Sequence, residues 1–355
     1  MNIKKSNLLI ILISLIGIIA YVSYTTKGDF FKIFQQAKGI WIVGGIFLMV
    51  VYWMLESVIL HLVTCKLHKE QKLKSSVQTT MIGQFFNCIT PFASGGQPMQ
   101  AIHMVKTGVP FGLASSSLLI KFIVYQLVLT LYSLLVLCFK LKEFSSMVNG
   151  FTYMVFIGFA VNTVVVVGLV CIGCFRKRTV KITCKVLDIL GRLKWIKEVE
   201  KKKEYIIKEF DSFYESFRWM GKNKRVIFYM MLLSVVQLTV YFLIPYFIYR
   251  AFNLHGALTS IISAQAFVLM ISSFIPLPGG AGGAELSFLA FFKLFFPPNL
   301  LNISILIWRM ITFYLTICVG ICFTLWRKDK KSIKEQLKAN EVIRKCKSIT
   351  KKPKS

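Results

Sequence analysis

The chain has 355 residues, of which 55% are hydrophobic and 17% are charged, and its mean hydropathy is +0.64. An ordinary globular domain carries about 25% charged residues, so this composition excludes a typical soluble enzyme. The formal net charge is +29, from 44 Lys and Arg against 15 Asp and Glu. On a soluble chain that charge would indicate nucleic acid or another polyanion as partner. Where the charges fall along the chain decides between these interpretations.

Uncharged apolar stretches recur at lengths that suit a lipid bilayer, whose hydrocarbon core takes about 20 helical residues to cross. The first stretch follows Lys4 and Lys5 and resembles a signal peptide. Because it is long, lacks a clear small-residue cleavage site and is followed by more spans, we expect an uncleaved helix. The sequence predicts an all-α polytopic membrane protein with about six full spans, at residues 8–24, 40–63, 111–139, 151–175, 225–249 and 300–326.

Lys and Arg are distributed unevenly between the loops, and such residues favour the cytoplasmic side of a membrane. With the N-terminus inside, 35 of the 44 fall in cytoplasmic segments and six fall outside. The remaining three, Lys121, Lys293 and Arg309, lie inside apolar segments. The asymmetry predicts that both termini are cytoplasmic in a multi-pass protein of the cell membrane. It also explains the basic charge without a nucleic-acid partner.

Two segments, 77–107 and 258–296, are interrupted by Pro and Gly and do not fit simple spans. Their flanking helices are about 12 to 18 residues long, mostly too short to cross the core. We interpret each segment as a re-entrant helix pair, which brings the membrane segments to about eight. Ordinary turns outside the membrane are the alternative. The predicted helix breaks are at Pro91, Pro98, Pro276 and Pro278.

The backbone at such breaks has to be buried in protein or line a wet cavity, because unsatisfied amides cost several kcal/mol in lipid. Half-helix N-termini also present free N–H groups and partial positive charge, which suits an anion such as phosphate. The candidate headgroup-binding residues at the two breaks are Gly95, Gly96, Gln97, Gly279, Gly280, Gly282 and Gly283.

The order helix, helix, broken pair, helix occurs twice, in residues 1–140 and 141–326. An odd number of crossings precedes the second copy, so we expect inverted membrane repeats with a binding site at mid-membrane. The second repeat contains a cytoplasmic insert at 176–224, and a basic cytoplasmic tail occupies 327–355. Apolar residues recur in the insert at helical spacing, which predicts an amphipathic helix or hairpin lying on anionic inner-leaflet lipids.

Lys121 and Arg309 occupy matching places in the last span of each repeat, about 15 Å from the membrane surface at 1.5 Å per residue. Ionisable groups at that depth normally face the bundle interior, so both are candidates for binding an anionic lipid headgroup. A structural ion pair with Glu56 or Glu285 is the alternative. Glu56 is a candidate counter-ion or proton carrier. Glu285 is a candidate to balance Arg309, to orient a lipid amine or to cap the helix that follows.

No part of the sequence predicts catalysis. The nine Cys lie mostly in apolar helices, where a thiol behaves as a small hydrophobe, and the four His are scattered. There is no nucleotide-binding loop and no nucleophile motif. We therefore expect no catalytic residue, no metal and no cofactor.

At its two breaks the chain resembles the family of the lysylphosphatidylglycerol synthase membrane region, the flippase portion of the multiple peptide resistance factor. The resemblance rests on residues 91–100 (PFASGGQPMQ), on residues 276–285 (PLPGGAGGAE), and on Arg309 with Tyr314, and it covers nearly all of residues 1–330. It implies translocation of an aminoacylated phospholipid such as lysylphosphatidylglycerol from the inner to the outer leaflet. That activity reduces negative surface charge and gives resistance to cationic antimicrobial peptides.

The chain departs from the family's full-length synthetases in two ways. The stretch after Trp326 is too short to build the soluble domain that takes lysine from tRNA, and Gln97 stands where members often place an acid. The first hypothesis is therefore a lipid translocase. The alternatives are phosphatidylglycerol lysyltransferase activity, alone or with a separate transferase, and a membrane scaffold whose basic loop recruits a partner. Membrane phospholipid and a second copy of the chain are the other partners that we consider.

Overall fold

The computed structural model describes residues 35–147, 199–272, 277–280 and 282–325, with isolated positions between 158 and 185. Within these residues every regular element is helical and there is no strand. The predicted span at 8–24, the tail at 327–355 and Pro276 lie outside the described residues, as does much of the predicted span at 151–175.

Four long apolar helical segments match predicted spans. They are α1 (Gly39–Leu67), α4 (Phe111–Met147), α6 (Lys224–Ala251) and a composite segment of α9 (Pro298–Arg309), a π-helical turn (Met310–Tyr314) and α10 (Leu315–Leu325). Each is long and apolar enough to cross a bilayer. The protein is therefore a multi-pass membrane protein, as the hydropathy pattern predicts. The sequence prediction ends the third span at residue 139, whereas α4 continues to Met147.

The two interrupted segments each contain a pair of shorter helices. The first pair is α2 (Leu73–Ile89) and α3 (Gly96–Lys106), and the second is α7 (Leu258–Ser272) and α8 (Gly283–Phe292). At 1.5 Å per residue even α2, the longest of the four, spans about 26 Å, less than the hydrocarbon core. Pro98, which the sequence analysis places at a break, lies in the first turn of α3. A missing N–H costs little there because first-turn N–H groups have no helical partner.

The helices contact one another in matched pairs. The most extensive contact among the described elements joins α1 to α6. On either side of this pair, α2 packs on α10, and its counterpart α7 packs on α4. Likewise α1 packs on α2 as α6 packs on α7, and α3 packs on α4 as α8 packs on α9. The first short helix of each pair, α2 or α7, therefore packs on the last span of the other half, whereas the second, α3 or α8, packs on the last span of its own half.

Stacked aromatic rings fix the second helix pair against the last span. The ring of Phe288 lies 4.0 Å from that of Phe292 and 4.8 Å from that of Trp308, measured between centroids. All three side chains are buried. Offset aromatic stacking adds about 0.5–1.5 kcal/mol per pair beyond area burial. The stack holds α8 on α9 and thereby positions Arg309, the residue after Trp308.

Helix α5 (Val199–Lys222) occupies the last part of the predicted insert at 176–224 and packs on α4 and α6. Its apolar side is directed into the protein, since Phe213, Tyr214 and Met220 are all buried. The sequence predicts that this side lies on inner-leaflet lipids, and for Phe213, Tyr214 and Met220 that prediction is wrong. The contacts with α4 and α6 cover this side of the helix instead.

Candidate functional site

The two helix breaks are single tight turns that touch each other. Residues Pro91–Ala93 form one and Pro278–Gly280 the other, and they are in direct contact. The first contains two non-glycine residues in the left-handed region, Phe92 at φ 54° and Ala93 at φ 51°. That conformation costs about 1–3 kcal/mol and persists where surrounding structure enforces it, often at functional sites.

A cavity of about 170 Å³ lies beside the joined breaks. At about 10–15 Å³ for each, it has room for more than ten water-sized groups. Its walls come from both halves of the chain and are formed by Phe92, Ala93, Tyr241, Gln265, Leu269, Ser272, Gly279, Gly280, Ala284, Trp308 and Arg309. The described residues contain no group of three His, Cys, Asp or Glu side chains that could bind a metal ion.

Arg309 is the charged residue of this cavity, and only 5% of its surface is exposed. Its Nε lies 2.8 Å from Glu285 Oε1, an ion pair in which the N–H is not aligned for a hydrogen bond. Nη1 donates to the carbonyl oxygen of Gly279 at 3.2 Å and Nη2 to that of Gly280 at 3.5 Å. A guanidinium has five N–H groups. One N–H on each Nη atom therefore remains for a ligand, as far as the described part of the chain shows.

The backbone around Arg309 is unusual on both sides of the contact. The helix widens into a π-helical turn, Met310–Tyr314, directly after the arginine, and such turns are frequent at functional sites. Opposite it, Gly279 has a φ of +62°, and a Cβ there would lie 1.9 Å from the Phe313 ring. Only glycine allows this carbonyl to approach the guanidinium so closely.

The remaining predicted glycines have other surroundings. Gly95 and Gly96 begin α3, and a Cβ on Gly96 would lie 1.9 Å from Asn87 Oδ1. These glycines thus allow α3 to pack on α2. They do not line the cavity, and neither does Gln97, Gly282 or Gly283. Of the glycines proposed from sequence, the structure brings Gly279 and Gly280 to Arg309.

Lys121 belongs to a separate buried cluster. Its Nζ lies 2.6 Å from Glu56 Oε1, and Gln84 Nε2 donates to the other oxygen of the same carboxylate. Side-chain exposure is 13% for the lysine and 9% for the glutamate. Lys121 does not line the cavity, so the two cations do not share one hollow. Each instead has a carboxylate partner, which is the alternative interpretation of the sequence.

An aromatic bridge lies between the two ionic clusters. Tyr241 lines the cavity, and its ring centroid is 5.3 Å from that of Tyr52 on α1. Tyr52 lies about one helical turn before Glu56 on the same helix. Neither Tyr52 nor Tyr241 could be identified from the sequence, because single tyrosines in long apolar helices do not stand out.

Gln265 and Trp308 are further cavity residues that the sequence analysis misses. Gln265 is fully buried, and neither its Nε2 nor its Oε1 has a partner within the described structure. The indole Nε1 of Trp308, a residue only 2% exposed, is likewise unpartnered there. The sequence offers one sign of Gln265, because a glutamine inside a short apolar membrane helix such as α7 usually forms hydrogen bonds to another group.

Comparisons with known proteins agree with this architecture. The family model for the lysylphosphatidylglycerol synthase TM region matches residues 7–320. The chain is similar to a UPF0104 membrane protein of Archaeoglobus fulgidus, with 24% identity over 331 residues that cover 92% of this chain and 99% of the relative. No solved structure matches. The match spans both helix breaks, three of the long apolar segments and most of the fourth, and the chain belongs to the lysylphosphatidylglycerol synthase TM region family.

Proposed function

We propose that this protein is a lipid translocase, which moves a phospholipid with an anionic or aminoacylated headgroup between leaflets through the cavity at the two breaks. The observation that carries the proposal is Arg309, a buried arginine with N–H groups to spare, in a cavity bounded by both breaks. Buried cations in membrane proteins commonly mark a substrate pathway. Family membership supports a role in lysylphosphatidylglycerol metabolism.

The chemistry of the cavity suits a phosphodiester. The free N–H groups of Arg309 and the indole N–H of Trp308 are donors, and phosphate oxygens are acceptors. The Glu285 carboxylate keeps the guanidinium from being an uncompensated charge when no lipid is bound. A carboxylate oxygen, Oε2, remains unpartnered there, which supports the idea that Glu285 also accepts from a headgroup amine.

The matched helix contacts support inverted repeats at residues 1–140 and 141–326, with the insert in the second. A two-fold axis in the membrane plane would exchange α2 with α7 and α4 with α10, and the observed contacts of α2 on α10 and α7 on α4 exchange in that way. Such repeats provide alternating access when one rocks against the other around a fixed site. On this proposal the broken pairs are re-entrant, and resistance to cationic peptides follows from the changed lipid distribution.

The test is leaflet exchange in proteoliposomes. Fluorescently labelled phosphatidylglycerol is incorporated in both leaflets, and a membrane-impermeant reductant quenches the outer label. The wild-type protein should accelerate the loss of the inner label. The double variant Arg309→Gln/Glu285→Gln, which leaves no unpaired buried charge, should reduce the acceleration at least tenfold, equivalent to about 1.4 kcal/mol.

The matched control is Arg225→Gln, the same change at an exposed position at the start of α6. It should exchange lipid at the wild-type rate. If the double variant inserts normally and also exchanges lipid at the wild-type rate, the assignment of Arg309 to the lipid pathway is wrong. If wild-type protein does not accelerate exchange at all, the translocase proposal fails.

The family's description favours one second candidate, synthesis of lysylphosphatidylglycerol. Purified protein supplied with lysyl-tRNA and phosphatidylglycerol distinguishes the two functions. We expect no lysylated lipid from this chain alone. If lysylated lipid forms and its formation requires the intact cavity, the protein is a phosphatidylglycerol lysyltransferase and the translocase proposal is wrong.

A further inference from the structure

The cavity contains an uncharged polar pair, Gln265 and Trp308, of which the translocase proposal uses only the indole N–H. Gln265 on α7 and Trp308 on α9 both line it, and they are 0% and 2% exposed. Three of their polar atoms, Gln265 Nε2, Gln265 Oε1 and Trp308 Nε1, are buried without a hydrogen-bond partner in the described part of the chain. Buried polar groups are nearly always paired in folded proteins, so three such atoms in one cavity need an explanation.

We propose that Gln265 and Trp308 form a headgroup subsite in which Gln265 also recognises the group that the phosphate carries. The proposal rests on the proposed function, since it assigns ligand groups to the same cavity. Trp308 Nε1 and Gln265 Nε2 donate to oxygens of a phosphodiester. Gln265 Oε1 accepts from a hydroxyl or ammonium donor on the group that the phosphate carries.

The donor and acceptor inventory points to this class of ligand. Indole N–H is a donor only, whereas the glutamine amide offers two donors and one acceptor oxygen. With the spare N–H groups of Arg309, these atoms make the cavity rich in donors. Its one neutral acceptor without a hydrogen-bond partner in the described residues is Gln265 Oε1. Of the other polar side chains in the wall, Ser272 already donates to the carbonyl oxygens of Val268 and Leu269, and the Tyr241 hydroxyl is not among the unpartnered buried atoms of the described residues. A headgroup with phosphate oxygens and a nearby donor satisfies every one of these atoms.

The subsite predicts selectivity against headgroups that lack a donor. Such a headgroup would leave the buried Oε1 of Gln265 unpaired, and sites built to bind a hydroxyl reject analogues that lack it. Phosphatidylglycerol has hydroxyl donors, while phosphatidylethanol has the same charge and the same diester without any donor. This pair of lipids therefore isolates the contribution of the headgroup donor, and a variant at Gln265 assigns that contribution to Oε1.

The experiment measures binding to the purified full-length protein in detergent. Dihexanoyl phosphatidylglycerol and dihexanoyl phosphatidylethanol are titrated separately, and the rise in thermal midpoint gives an apparent Kd for each. The wild-type protein should bind phosphatidylglycerol about tenfold more tightly. Gln265→Leu should bind both lipids equally, because it removes the acceptor and puts an apolar side chain of similar size in place of the amide.

Stability provides a readout that separates recognition from a structural role. Gln265→Leu should leave the lipid-free thermal midpoint unchanged or raise it, because the variant removes a buried amide that has no partner. The matched control is Gln126→Leu on α4. The Gln126 amide donates to Asn162 Oδ1 at 2.7 Å, so this variant should lower the midpoint and keep the lipid preference. A large loss of stability in Gln265→Leu would overturn the proposal.

Further arms identify the source of the ligand. Glycerol 3-phosphate and inorganic phosphate are titrated in the same way, and either one binding as tightly as phosphatidylglycerol would overturn the assignment to a lipid headgroup. Equal affinity of the wild type for the two lipids would overturn the assignment to a donor-bearing group. If the lipid preference depends on Gln265 but proteoliposomes show no leaflet exchange, the subsite stands and the translocase function fails.

Discussion

Removing the charge of Glu56 while Lys121 remains tests the buried cluster most directly. In Glu56→Gln the ammonium group of Lys121 keeps the 13% side-chain exposure of the native cluster but loses its only carboxylate partner within the described structure. Breaking a buried ion pair from one side costs about 3–5 kcal/mol, because the remaining charge is left uncompensated. We therefore expect a strongly destabilised protein.

The double variant Glu56→Gln/Lys121→Met removes both charges and keeps side chains of similar size. Replacing a buried ion pair by neutral groups of matching volume is often neutral or stabilising. Its free energy of unfolding should therefore lie close to that of the wild type. In the double-mutant cycle this recovery should appear as a coupling energy above about 2 kcal/mol.

The assay is the thermal midpoint of each variant in one detergent, measured by intrinsic fluorescence. A loss of about 3–5 kcal/mol corresponds to a fall of about 6–10 °C at about 2 °C per kcal/mol. If Glu56→Gln does not accumulate, recovery of folded protein in the double variant still reports the coupling. The reasoning is refuted if the double variant is no more stable than the single one, because the cost would then not come from an uncompensated lysine.

Two further predictions concern the packing of the break and of the insert. Gly279→Ala should destabilise the protein more than Gly282→Ala. Both glycines have a positive φ, so either substitution strains the backbone. Only at Gly279 would the new Cβ also collide with the Phe313 ring, because no atom lies within 4 Å of a Cβ at Gly282. The difference in thermal midpoint checks this, and equal losses would show that backbone strain alone matters. Met220→Ala should cost about 2–5 kcal/mol as a core truncation, whereas Trp219→Ala, at a residue 43% exposed, should cost under about 1 kcal/mol. Equal effects on the midpoint would contradict the docking of α5 on protein.

The long helices could be predicted from the sequence because a single physical quantity decides them. Each apolar run has to match the thickness of the bilayer, so the bounds at 40–63 and 225–249 agree closely with Gly39–Leu67 and Lys224–Ala251. The breaks were visible for a similar reason, since Pro and Gly interrupt helices locally.

Pairings across the fold could not be predicted in the same way. Lys121 and Glu56 are 65 positions apart, and the sequence allowed either glutamate as partner for either cation. Gln265 and Trp308 become a pair only because α7 and α9 face the same cavity. The π-helical turn after Arg309 lies where this helix packs against the second break. Residues 310–314 (MITFY) contain no Pro or Gly from which the turn could be predicted.

The pairing of Arg309 with Glu285 is compatible with transport for a physical reason. A substrate that crosses must bind well enough to leave water and weakly enough to be released on the other side. A bare guanidinium at this depth would be costly in the empty protein and would hold a phosphate too tightly in the occupied one. With the carboxylate 2.8 Å away, the charge is balanced in the empty protein, and a headgroup gains hydrogen bonds from the spare N–H groups without the full Coulombic attraction. We therefore place the proposed headgroup site at a compensated charge, where binding energy comes from several modest hydrogen bonds that can be broken one at a time.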